Sequence, residues 1–279
     1  MVIFGSIGIF VRAIPLPSAQ IALYRALLAV ILVGLVTVFS HSRQKISWRT
    51  LKKSLPLLLL SGGALGFNWI LLFEAYKYTT VSNATLAYYF APVLVTLLST
   101  VLFKEKMCAR QWICFALSTL GIFFISGVSV GDTSPSNLLG ISLGFAAACL
   151  YATVVLVNKF IKDLGGIERT LLQFAAAAIV LVPYTVVSGN LNFSPIGIDS
   201  IASILIVGLL HTGLAYCLYF SAIKGMRGQE VSVISYLDPI VAIMASLLIL
   251  HEPLSLCEII GGLLILGSAI FNEIKIKNK

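Results

Sequence analysis

The stretch Phe220 to Glu252, FSAIKGMRGQEVSVISYLDPIVAIMASLLILHE, decides how the chain is read, because it occurs twice. Its counterpart, Phe73 to Glu105, reads FEAYKYTTVSNATLAYYFAPVLVTLLSTVLFKE. A constant offset of 147 positions, from Tyr89 to Tyr236, lays Phe73-x-Ala75-x-Lys77 on Phe220-x-Ala222-x-Lys224 without a gap. The same offset lays Tyr89-x-x-Pro92 on Tyr236-x-x-Pro239, Ser99 on Ser246 and Glu105 on Glu252. A shared register over this length points to one ancestral unit used twice. Each copy reads as an apolar helix, a short polar turn, a second apolar helix with a proline near its middle, and a glutamate where that helix ends.

Composition sets the medium. With 59% hydrophobic and 11% charged residues and a mean hydropathy of +1.01, the chain lacks the polar residues that coat a soluble surface. Its 279 residues hold about ten apolar segments near the ~20 residues that cross a bilayer core as helix. Transmembrane strands would be half as long and would alternate polar with apolar, which these runs do not. The reading is an all-α integral membrane protein with spans near 1–13, 18–40, 54–76, 80–102, 108–128, 137–158, 168–188, 200–223, 229–250 and 254–273. Between the spans lie turn residues, among them the polar run His41 to Lys53. Pro56 and Pro253 are expected in first helical turns, where the missing amide does no harm. Pro92, Pro183 and Pro239 lie inside spans, and Pro92 and Pro239 are the expected kinks of the two repeats.

Basic residues in short loops resist translocation. With both termini cytoplasmic, loops 41–53, 104–110, 159–169 and 224–227 and the tail from 275 hold sixteen of the nineteen Lys and Arg. The net charge of +8 is then topology and contact with anionic headgroups, and nucleic acid is an unneeded partner. Five spans per half is an odd number, so the second half enters the membrane from the opposite side. The expected domains are a first repeat over 1–128 and a second over 137–274, of inverted topology, which is the architecture of secondary transporters. Span 1 is short: about 13 residues rise only ~20 Å as helix, and the counterpart of Leu138 to Ala148 is missing from it. The expectation is a start further upstream. A secretory signal is not expected, since no positive n-region or small-residue cleavage site precedes the span.

The phrase Leu86-Ala-Tyr-Tyr-Phe-Ala-Pro92 running to Phe103-Lys-Glu105 is repeated as Val233-Ile-Ser-Tyr-Leu-Asp-Pro239 running to Leu250-His-Glu252, and a Gly-rich span follows each glutamate. In this paired arrangement the chain resembles the drug/metabolite transporter superfamily, specifically the ten-helix EamA-type proteins. The resemblance implies proton-linked or exchange transport of small metabolites, often export, through a central cavity lined by spans 1, 3, 4, 6, 8 and 9. The short first span departs from that pattern and puts one cavity wall in doubt.

Polar groups inside a bilayer are costly and need a reason. Asp238 lies about ten residues into span 9, directly before Pro239. It reads either as a proton carrier or as a structural acid capping the turn that Pro239 breaks. His211, near the middle of span 8, lies at similar depth and either joins Asp238 in passing a proton or is a satisfied core histidine. Arg25 and Glu74 fall at matching depth and read as a structural pair, with a substrate carboxylate as the other partner open to the arginine. The remaining cavity candidates are Asn68 and Trp69, Tyr88 and Tyr89, Tyr151, Tyr216 and Tyr219, and Tyr236. Aromatic walls with polar tips suit a small, partly apolar ligand, and tyrosines also fill helix interfaces. Glu105 and Glu252 read as caps for exposed helix amides, with a gate contact as the other reading.

No phosphate loop, His-Glu-x-x-His or paired Cys-x-x-Cys is present in the sequence, so neither nucleotide, metal nor other cofactor is expected, and no catalytic residue is assigned. The five cysteines read as small apolar filler. The expected function is a secondary active transporter of the bacterial plasma (inner) membrane. It moves a small amino-acid-like or drug-like metabolite, as an exporter, and works as a monomer or homodimer in the lipid bilayer. The competing classes are a membrane-embedded enzyme acting on lipid and a non-transporting helical protein.

Overall fold

The computed structural model describes residues 1–39, 47–103, 107–126, 134–161, 164–192, 195–222 and 234–273. Glu105, Lys224 and Arg227, used in the reading above, lie outside the described residues. Among the described residues all regular structure is helical: α1 (Val2–Gly5), α2 (Ile7–Arg12), α3 (Ser18–Phe39), α4 (Trp48–Tyr78), α5 (Val81–Tyr88), α6 (Ala91–Phe103), α7 (Ala109–Ile125), α8 (Pro135–Asn158), α9 (Gly166–Val187), α10 (Ile198–Leu205), a π-helical segment Ile206–Leu214, α11 (Ala215–Ala222), α12 (Leu237–Leu248) and α13 (Leu256–Glu273). Six described segments are long and apolar enough to cross a membrane: Ser18–Phe39, Trp48–Tyr78, Val81–Phe103, Pro135–Asn158, Gly166–Val187 and Ile198–Ala222. Val2–Arg12, Ala109–Ile125, Leu237–Leu248 and Leu256–Asn272 are shorter apolar helices, which brings the apolar segments to the ten expected. Apolar side chains such as Val101, Val187 and Leu263 are exposed, a surface suited to hydrocarbon.

Several boundaries differ from the sequence reading. The third span begins at Trp48, so the basic run Arg49, Lys52 and Lys53 is helical and Pro56 falls inside α4. Ser47 explains the early start, because its Oγ accepts the Thr50 amide at 3.1 Å as an N-cap. The lysine stems lie along the helix, with Lys52 Nζ 5.5 Å from the Trp48 ring. Pro253 precedes α13, whose first residue is Leu256, so it is not in a first turn. The span carrying Pro92 is divided at Tyr89 and Phe90, with the proline second in α6. Tyr236 is likewise a turn before α12, in which Pro239 is third. Each break lies just N-terminal to the proline, where its ring and missing amide interrupt the ladder.

The chain divides into two compact units, and each draws on both halves of the sequence. The first comprises residues 1–9, 74–152 and 225–279. In it α7 and α13 press together with backbone on backbone. A Cβ on Gly121 would stand 2.7 Å from the Gly261 carbonyl, and a Cβ on Gly261 2.7 Å from the Gly121 carbonyl. Ser118 and Ser268 hydrogen-bond across the same seam at 2.5 Å. Close approach by small residues and hydroxyl pairing are how helices associate where hydrocarbon supplies no hydrophobic drive. Phe90, Val93 and Leu94 pack on Ala148 and Ala152 of α8.

The second unit comprises residues 10–73 and 153–224. Gly62 of α4 lies against α9, where a Cβ would meet the Gln173 carbonyl at 2.6 Å. Beside it Gln173 Nε2 donates to Asn158 Oδ1 at 2.7 Å and to Ser61 Oγ, tying three helices through buried amides and a hydroxyl. Gln20 bonds both ways with the Asn192 backbone, donating to its carbonyl and accepting its amide at 2.9 Å each.

Candidate functional site

In the first unit the site grows from Asp238, an acid in the first turn of α12, where helix amides and dipole favour negative charge. Tyr89, the residue at which α5 stops, donates its phenol hydrogen to Asp238 Oδ2 at 2.5 Å, a length typical of charge-assisted O–H···O bonds. The Tyr89 ring lies 6.3 Å from Tyr236 and 5.9 Å from Tyr88, and Tyr88 lies 5.5 Å from Tyr151. Four tyrosines, from the end of α5, from α8 and from the turn before α12, thus line up beside one half-buried carboxyl. Gly5 lets α1 pack against the start of α12, since a Cβ there would clash with the Asp238 backbone carbonyl.

In the second unit the site grows from Arg25, which is 6% exposed. Its Nε donates to Thr212 Oγ1 at 2.7 Å, and that hydroxyl donates onward to the Val207 carbonyl at 2.8 Å. The guanidinium carbon lies 4.2 Å from the Trp69 ring centre and 5.5 Å from that of Phe73, so aromatic faces stabilise the buried cation. Ring contacts continue from Trp69 to Phe174 at 5.7 Å, from Phe174 to Tyr216 at 5.2 Å, and from Tyr219 to Phe220 at 5.2 Å. His211 is buried with its Nδ1 3.2 Å from the Ile206 carbonyl and its ring 5.0 Å from Phe10.

Thr212 and His211 occupy these places because Ile206–Leu214 is π-helical. Bonding to the fifth residue back brings residues five apart onto nearly one face, and such segments concentrate at functional sites. Gly208 and Gly213 use that face to meet α3, with Cβ positions 2.5 Å from side-chain atoms of Leu28 and Leu32. Both Thr212 and His211 reach back five residues for their carbonyls.

The other sequence candidates are placed as follows. Asn68 is buried on α4. Glu74 forms an ion pair with Lys77 at 2.9 Å on an exposed face, while Arg25 has Thr212, Trp69 and Phe73 around it. Asp238 belongs to the first compact unit and His211 to the second. Glu252 does cap a helix: its Oε2 accepts the Val81 amide at 2.9 Å and the Ser246 hydroxyl. Glu258 accepts from the Asn83 side chain at the same helix start. Among the described residues no group of three or more His, Cys, Asp or Glu is placed to hold a metal ion.

Sequence reasoning passed over Thr212, Phe73 and Phe174. One signal for Thr212 was present, since the five-residue spacing of Gly208 and Gly213 fits a π-helical contact face and not an α-helical one.

Described residues whose regular structure is all helical, ten apolar segments among them, and buried carboxyl and guanidinium groups define a multi-pass membrane protein. Comparison places it further. The EamA-like transporter family model matches residues 1–127 and again 138–273. The chain is 33% identical over 246 residues to the uncharacterized transporter YxxF of Bacillus subtilis (strain 168), covering 88% of this chain and 77% of that one. It is 22% identical over 250 residues to the protein PecM of Dickeya dadantii (strain 3937), covering 89% and 82%. A solved crystal structure shares the fold with a TM-score of 0.63 at 16% identity, covering 97% of this chain and 94% of that one. The chain belongs to the EamA-like transporter family.

Proposed function

We propose that the protein is a secondary active transporter that moves a small organic metabolite across the bacterial plasma membrane, as an exporter, by alternating access between two repeats of inverted topology. Asp238 takes up and gives up a proton during the cycle. The observation that carries this reading is the Tyr89 to Asp238 hydrogen bond within a row of tyrosines in ring contact. A carboxyl that accepts a phenol hydrogen bond changes that bonding when it gains a proton. Arg25 with its aromatic neighbours supports a ligand that carries a negative group beside an apolar body. An amino acid or a drug-like acid has both features. The termini are cytoplasmic in this reading, by the distribution of Lys and Arg. Membership in a transporter family favours transport over the alternatives of lipid chemistry or a passive scaffold.

The test is a thermal-stability screen of amino acids, nucleosides and aromatic acids on purified protein, followed by counterflow of any stabilising compound in proteoliposomes. A ligand that prefers the folded protein raises its apparent stability. Counterflow that depends on the reconstituted protein supports the reading. Lipid turnover by the same preparation, with no counterflow, overturns it.

A further inference from the structure

Helix α5 is buried from Val81 to Ala87, with Tyr88 at its end half-buried. Two of its hydroxyls, Ser82 Oγ and Thr85 Oγ1, are enclosed and make no hydrogen bond among the described residues. Buried hydroxyls are costly without a partner, and native proteins usually supply one from protein or ordered water. Thr85 has not taken the common course of bonding a carbonyl in the preceding turn.

Their positions on the helix give the pair a direction. The Tyr89 amide still bonds the Thr85 carbonyl at 2.9 Å, so Tyr89 continues the helical register. At 100° per residue, Ser82, Thr85 and Tyr89 lie within an arc of about 60° on one face, rising about 10 Å from first to last. The arc has defined flanks. On one side Val81 meets Gly8, whose Cβ position is 2.6 Å away, and on the other Leu86 meets Gly262 at 3.2 Å. At its foot the Tyr89 phenol is bonded to Asp238. At its head Glu252 and Glu258 bond the first turn.

We infer that this face is a hydrated proton path joining the Thr80 end of α5 to Asp238. This rests on the reading of Asp238 as the proton-exchanging group and deepens it by naming the route. Steps of about 4.5 Å and 6 Å along the helix axis are each spanned by one or two waters hydrogen-bonded to successive hydroxyls. A proton entering at Ser82 passes to the water beside Thr85 and then by way of the Tyr89 phenol oxygen to Asp238 Oδ2. The carboxylate becomes a carboxylic acid, and the Tyr89 hydroxyl ends the passage with one hydrogen, as it began.

Two measurements test the path, and neither needs the transported substrate. In the first, Ser82→Cys, Thr85→Cys and Ala87→Cys proteins are exposed to a small cationic methanethiosulfonate, with modification at each position read by mass spectrometry. Ala87 lies on the face that packs against α8, 3.2 Å from the Gly144 Cβ position. Cysteine at 82 and 85 is expected to react at least about tenfold faster than at 87. Equal rates at all three positions overturn the path.

In the second, infrared spectroscopy after a pH jump follows the carboxyl band that Asp238→Asn removes. Ser82→Ala with Thr85→Val is expected to keep the band and slow its rise by about tenfold. The double variant replaces unbonded hydroxyls by groups of similar shape, so its melting temperature is expected within a few degrees of the parent. A band that rises at the parent rate overturns the path and leaves Asp238 as the exchanging group. Absence of any Asp238-dependent band overturns both readings.

Discussion

Tyr89 and Asp238, 149 residues apart in sequence, meet at 2.5 Å, phenol oxygen to carboxyl oxygen. Tyr89 closes α5 in the first repeated stretch, and Asp238 opens α12 in the second. The turns that bring them together stand two or three residues before Pro92 and Pro239, so the duplicated proline that breaks each helix also positions one member of the pair. Tyr89→Phe removes the donor and keeps the ring. A net loss of about 1.5 to 3 kcal/mol is expected for a hydrogen bond to a charged group, read as a lower midpoint in denaturant, with the ring contacts intact. An unchanged midpoint would mean the bond contributes nothing to the folded state.

Thr212→Val tests the second cluster. It keeps the shape of the side chain but leaves Arg25 Nε without its hydroxyl and ends the bond to the Val207 carbonyl. A buried group stripped of one partner costs about 1 to 3 kcal/mol, so thermal unfolding should come several degrees earlier. Fluorescence of Trp69 should also shift as the guanidinium moves off its ring.

His251 has φ 53°, a left-handed backbone, three residues past the end of α12. That residue turns the chain so that the Glu252 carboxylate reaches the Val81 amide and the Ser246 hydroxyl. His251→Gly is expected to be neutral or stabilising, and His251→Val to cost about 1 to 2 kcal/mol, because a β-branched side chain tolerates this region poorly. Unfolding of the two variants side by side gives the sign.

Gly121→Leu should separate α7 from α13, since any side chain at that point meets the Gly261 carbonyl. The readout is a crosslink. With Ser118→Cys and Ser268→Cys in place of the bonded serines, oxidation should give an intramolecular disulfide readily in the parent and poorly when Gly121→Leu is added.

The proposal that the two repeats are inverted predicts that Lys77→Cys and Lys224→Cys label from opposite sides of intact cells with a membrane-impermeant thiol reagent. Labelling of both from one side would mean that the duplicated stretches run in parallel.

The helical membrane fold was legible because composition and span length leave few alternatives, and the offset that superimposes Tyr89 on Tyr236 exposed the duplication. Asp238 stood out because a carboxylate amid apolar residues demands a reason. The start of α4 was not legible from charge, because Arg49, Lys52 and Lys53 read as loop until the Ser47 cap is seen. The π-helical segment left only the Gly208 and Gly213 spacing as a trace, because hydropathy is indifferent to whether a carbonyl is bonded four or five residues on. Arg25 was singled out, but its Thr212 partner lies 187 residues away, and the segment's π register is what turns that hydroxyl toward it. Ser82 and Thr85 look ordinary in sequence and become notable only once Val81 to Ala87 of α5 are found buried with these two hydroxyls unbonded.

The most direct test of the account is flux of a radiolabelled stabilising compound in proteoliposomes, with and without an imposed pH gradient, for the parent protein and Asp238→Asn. The account predicts that the gradient accelerates flux in the parent by about tenfold and leaves the variant unaffected, although the variant still binds the compound. A folded Asp238→Asn protein that responds to the gradient as fully as the parent would contradict it.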